Sequence, residues 1–315
     1  MANSGKVGFV FPGQGSQYVG MGKELMEQFA VAQQVFLEAD EALGFSISAL
    51  CFSGPEPDLN LTENTQPAIL TVSVAALRVL ESETSLRPSY IAGHSLGEYS
   101  ALVCVGALAF RDAVRVVRER GRLMQRAVPD GTGRMAVILG LQMDAVRSLC
   151  ELASNGEVVS PANYNGAGQI VIAGTKTAVS RAMSLARERG AKRVLDLPVS
   201  APFHCELMRP AAEGLRRILQ DVAVRPFSVG VVTNVEAEVN FDSSRVKSLL
   251  VEQAVQPVQW EESVRQLREL GCARIWEIGP GKVLKGLIKR ISSELEVDNF
   301  ETPADLTRVT GAEHR

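Results

Sequence analysis

The chain has 315 residues, a formal net charge of −3 and 46% apolar residues, enough to bury a large core in one domain or in a domain that carries an insertion. Basic residues are scattered or matched by acids and no aromatic ladder accompanies them, which argues against nucleic acid as a partner. The five cysteines (Cys51, Cys104, Cys150, Cys205 and Cys272) stand far apart with no C-x-x-C pair, so a reduced, intracellular setting is expected, with neither a disulfide framework nor a zinc site.

The first predicted strand is KVGFVF, residues 6–11. Pro12 and Gly13 end it at once; the run is too short for a signal h-region and has no basic leader. The following loop, VFPGQGSQ (10–17), carries Gly13-Gln14-Gly15 and lets backbone approach closely. It satisfies neither phosphate fingerprint, because residue 18 is Tyr and no G-K-[ST] follows. A plain structural turn is the default reading of that loop. Helices are expected around 21–43 and 66–82.

A second strand, YIAG, runs into AGHSLGEYSAL (92–102). Gly93-His94-Ser95-Leu96-Gly97 matches G-x-S-x-G where that motif requires it, after a strand and at the start of a helix. In such a tight turn the serine hydroxyl projects above the sheet beside main-chain amides at the helix N-terminus. The competing reading is a glycine-rich turn with an N-capping serine. The helix after it, around 97–105, opens the longest apolar span, ALVCVGALAF, which is far short of a bilayer crossing. A soluble, cytoplasmic and monomeric protein is expected.

Residues 111–127 read as an amphipathic helix. Arg111, Arg115, Arg118, Arg122 and Arg126 follow one another at helical spacing and form a solvated stripe. Arg120 sits among Ala113, Val116, Val117, Leu123, Met124 and Ala127 on the opposite, apolar face. A guanidinium keeps its proton, so on that face it needs an anion; a protein carboxylate is the ordinary partner.

From Gly133 to Val199 the order of predicted elements becomes strand, helix, strand, strand, helix, strand, the βαββαβ arrangement of ferredoxin-like domains. The rest alternates strands with helices, as in α/β folds with a mostly parallel sheet. The expected organisation is a large α/β-hydrolase-like domain over 1–130 and 199–295, a small inserted ferredoxin-like domain over 131–198, and a disordered polar tail over 296–315. SVGVVTN and ARIWEIG supply further strands, with helices around 206–221, 244–254, 260–270 and 282–293.

A serine nucleophile needs a base, and the chain has three histidines. His314 falls in the tail and His94 adjoins the serine in the same turn, which leaves His204 in VSAPFHCELM; the alternative there is an ordinary hydrogen-bonded loop histidine. Of two oxyanion donors, one is expected from the N–H after the nucleophile, at Leu96, and the other from a separate strand-end loop.

FVFPGQGSQYVGMG, AGHSLGEYSALVCVGAL, VVRERGRLMQRAVPDGTGRMAV, PVSAPFHCELM, and QPVQW with EIGPGKVLKGL resemble the malonyl-CoA:acyl carrier protein transacylases of bacterial fatty-acid synthesis. The likeness is collinear from about Lys6 to Ile291, and acyltransferase domains of polyketide synthases share most of these blocks. The resemblance implies that Ser95 accepts the acyl group, that His204 is its base and acid, and that the amides of Gln14 and Leu96 form the oxyanion hole. It further implies that the Gln253 carbonyl orients His204 in place of an acid, and that Arg120 holds the free malonyl carboxylate. Asn163 and Met124 fall at pocket-lining positions, and the bulk of Phe203 narrows the space beside the α-carbon. Gln256 stands where relatives often have Asn, outside this chemistry.

The implied substrates are malonyl-CoA and the phosphopantetheine thiol of acyl carrier protein, used in a ping-pong scheme with no cofactor and no metal. The inserted domain would close the cleft, and Arg115, Arg118 and Arg122 would help dock an acidic carrier. A polyketide-pathway acyltransferase using another extender, a serine esterase or thioesterase, and a non-catalytic carrier-docking module are the alternatives.

Overall fold

The computed structural model describes residues 5–199 and 201–313; His314 lies outside them. Its strands are β1 (Lys6–Phe11), β2 (Tyr90–Gly93), β3 (Gly133–Leu139), β4 (Val159–Tyr164), β5 (Gln169–Thr175), β6 (Arg193–Asp196), β7 (Gly230–Val232), β8 (Val239–Asn240), β9 (Cys272–Ile278) and β10 (Glu296–Phe300). Phe9, Val10 and Phe11 are all fully buried, as a parallel strand covered on both faces requires. Accordingly β1 lies inside a six-stranded sheet of order β10-β9-β1-β2-β7-β8. Every neighbouring pair in it is parallel except β7 with β8.

Register fixes where the site can form. Phe11 pairs with Gly93, so the loop after β1 and the turn after β2 leave adjacent strands at the same end. Open α/β sheets bind ligands at the carboxyl ends of their strands.

Residues 133–196 build a separate four-stranded antiparallel sheet of order β4-β5-β3-β6. Strands β3 and β5 alternate between its two faces, while β4 shifts register between Pro161 and Asn163. Ala136, Ile138, Ile170 and Ile172 face the two helices Met143–Ser154 and Lys176–Glu188, while Met135, Val171 and Ala173 join the main core. Main-chain bonds also tie this sheet to the rest of the chain: Tyr164 N–H donates to Val258 O and Val258 N–H donates to Ala162 O, both at 2.9 Å.

The tail expected to be disordered from residue 296 is instead ordered through the described residues. Glu296–Phe300 forms β10, parallel to β9, and a helix follows at Leu306–Glu313. The segment looked solvated because its acids have partners: Glu296 pairs with Arg274 and Asp298 with Lys285, while Val297, Asn299 and Phe300 are buried. The helix expected over 21–43 breaks at Phe29, whose extended backbone separates Lys23–Gln28 from Ala30–Leu43. No described helix is long and apolar enough to cross a membrane.

Candidate active site

The turn after β2 is built by glycine at two places where nothing else fits. A Cβ on Gly93 would lie 2.0 Å from the carbonyl of Gly97, and one on Gly97 would lie 2.0 Å from the carbonyl oxygen of Phe11. The chain therefore folds back on itself and on β1 at van der Waals limit. Ser95 takes up the resulting curvature with φ 51°, a left-handed backbone that costs a non-glycine residue about 1–3 kcal/mol and survives only where its surroundings hold it. Asn234 holds it: its Oδ1 accepts from Ser95 N–H at 2.6 Å and its Nδ2 donates to Gly93 O at 2.5 Å.

His204 meets the serine from the far side, with Nε2 2.8 Å from Ser95 Oγ. Its Nδ1 lies 2.7 Å from the carbonyl of Gln253, which can only accept. Nδ1 therefore carries the hydrogen, and the Nε2 lone pair faces the hydroxyl. Burial, and next to it the charge of Arg120, pushes the His204 pKa down to about 3, so the resting imidazole is neutral. His94 points elsewhere. It is half-buried, its Nε2 lies 2.9 Å from Asn165 Oδ1, and its ring packs against Trp260.

The loop after β1 presses on the same turn. A Cβ on Gly13 would lie 2.4 Å from His94 O, and Gly15 adopts φ 104°. Ser16 N–H and Oγ both bond to Gly13 O, and Gly15 N–H donates to Gln17 Oε1. The main-chain N–H groups of Gln14 and Leu96 donate to no protein acceptor among the described residues. The amide next to the serine and one in the loop pressed against its turn are thus left without a protein acceptor, as oxyanion donors must be.

Arg120 completes the site. It belongs to the helix Phe110–Arg126, which crosses the helix Thr62–Glu83 at Gly121; a Cβ there would lie 2.6 Å from Thr62 O. That contact sets the guanidinium against Gln66, one turn into the second helix. NH1 donates to Gln66 Oε1 at 2.7 Å, and NH2 donates to Gln253 Oε1 at 2.8 Å and to Ser95 Oγ at 3.2 Å. Arg120 is 2% exposed, and no Asp or Glu among the described residues pairs with it. Its partners are neutral, so its charge faces the nucleophile unbalanced by direct contact.

A strained serine, a neutral histidine oriented by a carbonyl, two free amides and an uncompensated guanidinium converge on one point. A model of the acyl transferase domain family matches residues 8–307. The chain belongs to the acyl transferase family. It is 48% identical to the malonyl CoA-acyl carrier protein transacylase of Salmonella typhimurium, over 95% of this chain and 97% of that one. It is 49% identical to the Bacillus subtilis protein of the same name, over 95% and 94%. Among solved structures, an acyl carrier protein S-malonyltransferase from Vibrio cholerae superposes with TM-score 0.95 at 49% identity, over 96% of this chain and 99% of that one. A type II PKS acyl-carrier protein in complex with its malonyl-transacylase gives 0.95 at 45% identity, over 98% and 100%.

The remaining candidate residues of this acyltransferase spread outward. Met124, one turn after Arg120, is buried with its Sδ 3.8 Å from Gln66 Nε2, so it packs against the residue that holds Arg120. Phe203 is buried beside His204. Asn163 pairs with Val258 through its backbone, and it lines a cavity of about 260 Å³ with Gln14, His94, Leu197 and Leu284. The arginines expected to dock a carrier are already engaged: Arg115 with Ala42 O, Arg118 over the Phe45 ring, Arg122 with Glu63 and Glu119.

Gln66, Glu98 and Asn234 escaped the sequence reading. Each is a buried polar residue in the site, and the visible signal was slight: Gln66 precedes Pro67 inside a long apolar helix.

Proposed function

We propose that the enzyme moves a malonyl group from coenzyme A to the phosphopantetheine thiol of an acyl carrier protein through a malonyl ester of Ser95, supplying extender units for fatty-acid synthesis. The observation that carries this reading is Arg120: a buried guanidinium, with no acid of its own, hydrogen-bonded to the nucleophile. Only an acyl group ending in a carboxylate makes use of it. The fork of a guanidinium matches that carboxylate in two parallel bonds, which a lysine does not reproduce.

In the first half-reaction Ser95 Oγ attacks the thioester carbonyl and its proton passes to His204 Nε2. The carbonyl oxygen gathers negative charge facing the amides of Gln14 and Leu96. Collapse expels the coenzyme A sulfur, which takes the proton from His204. In the second half-reaction the carrier thiol gives its proton to His204 and attacks the ester; Ser95 Oγ leaves and recovers that proton. The Gln253 carbonyl stabilises the imidazolium in both halves. No metal and no cofactor enters this scheme.

The carrier approaches, in this reading, over the helix Val283–Ile291, whose Val283, Leu284 and Leu287 line the cavity. Lys282, Lys289 and Arg290 stand exposed there with no ion pair among the described residues, a surface suited to an acidic partner.

We read the fold as an α/β-hydrolase-like unit interrupted by a ferredoxin-like one at 131–198, supported by the β4-β5-β3-β6 order and by its two helices on one face. The large unit then runs past residue 295, since β10 extends its sheet. The protein acts as a cytoplasmic monomer. The deciding experiment is intact-mass spectrometry after mixing with competing acyl-CoAs. A malonyl adduct on Ser95 that discharges to pantetheine thiols is expected; an adduct that discharges equally fast to water would make the protein a hydrolase.

A further inference from the structure

Gln253 meets the site five ways. Its backbone carbonyl takes the His204 hydrogen, its Oε1 takes an Arg120 hydrogen, and its Nε2 faces three acceptors: Glu98 Oε2 at 2.7 Å, Ser95 O at 3.0 Å and Asn234 Oδ1 at 3.4 Å. A side-chain amide has two nearly superimposable orientations, and the reverse one would set N–H groups against the guanidinium. What selects the working orientation is the set of three acceptors on the nitrogen side, and the strongest is a carboxylate. In its ionised form a carboxylate cannot donate, so above its pKa it forces the amide nitrogen toward itself and the amide oxygen toward Arg120.

We infer that Glu98 is a positioning residue that confers preference for a charged acyl group, acting on Arg120 through the Gln253 side chain. This rests on the reading of Arg120 as the carboxylate clamp. Glu98 lies in the first turn of the helix Gly97–Cys104 and is 3% exposed. Its Oε2 also accepts from Asn234 N–H at 3.1 Å, and Asn234 in turn grips Ser95 N–H and Gly93 O. Glu98 therefore holds both devices that bear on the nucleophile turn. It also sets a buried carboxyl one amide away from a buried guanidinium. The two charges lean on each other through Gln253, yet no carboxylate oxygen fills the place beside Arg120 that the substrate must take. A direct Glu–Arg pair at that position would close the clamp; the interposed amide keeps it open and aimed. Burial pushes the Glu98 carboxyl up to about 7, while the bonds from Gln253 and Asn234 hold it down.

Glu98→Gln keeps the shape but replaces the carboxylate by an amide that can present either donor or acceptor, so the preference for the working Gln253 orientation weakens to what Ser95 O and Asn234 Oδ1 still supply. The ratio of kcat/KM for malonyl-CoA to that for acetyl-CoA should fall about tenfold, mainly through a raised KM for malonyl-CoA. Gln253→Met, which retains the main-chain carbonyl toward His204, should lower the ratio similarly. In an Arg120→Ala background neither change should alter the ratio further, because the clamp they aim is gone. An equal loss toward both substrates, or a further fall in the Arg120→Ala background, would overturn the assignment. If Glu98→Gln does not fold, Glu98→Asp, which keeps the charge but draws the carboxylate back from Gln253, decides by the same ratios. Malonylation of the unaltered enzyme at Ser95 is the control; its absence would sink the malonyl reading itself rather than the role of Glu98.

Discussion

Arg120 donates a hydrogen bond to Ser95 across 3.2 Å, so the clamp and the nucleophile are in contact before any substrate enters. On the proposed mechanism, a carboxylate that takes that hydrogen leaves the serine to His204 alone. The short span between guanidinium and hydroxyl suits a small diacid whose two ends are a single methylene apart.

Arg120→Ala should lower kcat/KM for malonyl-CoA by at least about a hundredfold, in keeping with the cost of about 3–5 kcal/mol for removing one member of a buried charged pair. Transfer of uncharged acyl groups should be retained or increased. Competition between malonyl-CoA and acetyl-CoA, read by mass spectrometry of the acyl-enzyme, measures both; a variant still selective for malonyl would remove the clamp from the mechanism.

Ser95→Ala should form no acyl adduct with malonyl-CoA and should abolish transfer. Intact-mass measurement over several turnover times checks this, and an adduct persisting on the variant would mean that the nucleophile lies elsewhere.

The low pKa of His204 has a sign that can be measured. Burial and the Arg120 cation both disfavour the imidazolium, so the free enzyme keeps its base neutral down to about pH 3. The acid limb of kcat/KM should therefore lie well below the ordinary histidine range. Removing the cation in Arg120→Ala should move that limb to higher pH, followed with an uncharged acyl-CoA. The same depression contributes stability that is complete above the unfolded value near 6.5 and is lost as pH falls toward about 3, because only the unfolded chain takes up that proton in between.

Gly121→Ala puts a methyl 2.6 Å from Thr62 O and 2.7 Å from Glu63 Cα, both main-chain atoms that cannot swing aside. Overpacking of this kind costs about 1–3 kcal/mol. Thermal denaturation should show a Tm lowered by several degrees, and KM for malonyl-CoA should rise as Arg120 is levered away from Gln66. An unchanged KM would separate the helix crossing from the clamp.

Neutralising Lys282, Lys289 and Arg290 together should raise KM for the carrier protein about tenfold, with a smaller effect at high salt. Neutralising Arg115, Arg118 and Arg122 should cost stability instead, since those groups hold Ala42, Phe45, Glu63 and Glu119. Carrier kinetics at two ionic strengths distinguish the two faces.

What could be read from the sequence is what has a local cause. The turn at Ser95 is written in its flanking glycines, and Arg120 stands out because a cation interrupts an apolar face. His204 emerges by elimination among three histidines, a matter of scarcity more than pattern. The Gln253 contact with His204 is different in kind: every residue has a carbonyl, so nothing in the composition of that segment marks this one, and only family resemblance pointed to it. Gln66, Glu98 and Asn234 were illegible because each is an ordinary polar residue until distant segments fold around it. The tail at 296–313 misled for the opposite reason: its charges look solvated in isolation and turn out to be complementary to β9 and the neighbouring helix.

The reciprocal main-chain bonds between Ala162, Tyr164 and Val258 bear on how the cleft can move. The four-stranded sheet is joined to the large one by two chain crossings, and these bonds add a third fastening away from both. Any closure of the inserted sheet over the cleft would have to break these bonds or carry Val258 with it. If they hold through turnover, the inserted sheet stays a standing wall beside the site, and turnover should be insensitive to solvent viscosity.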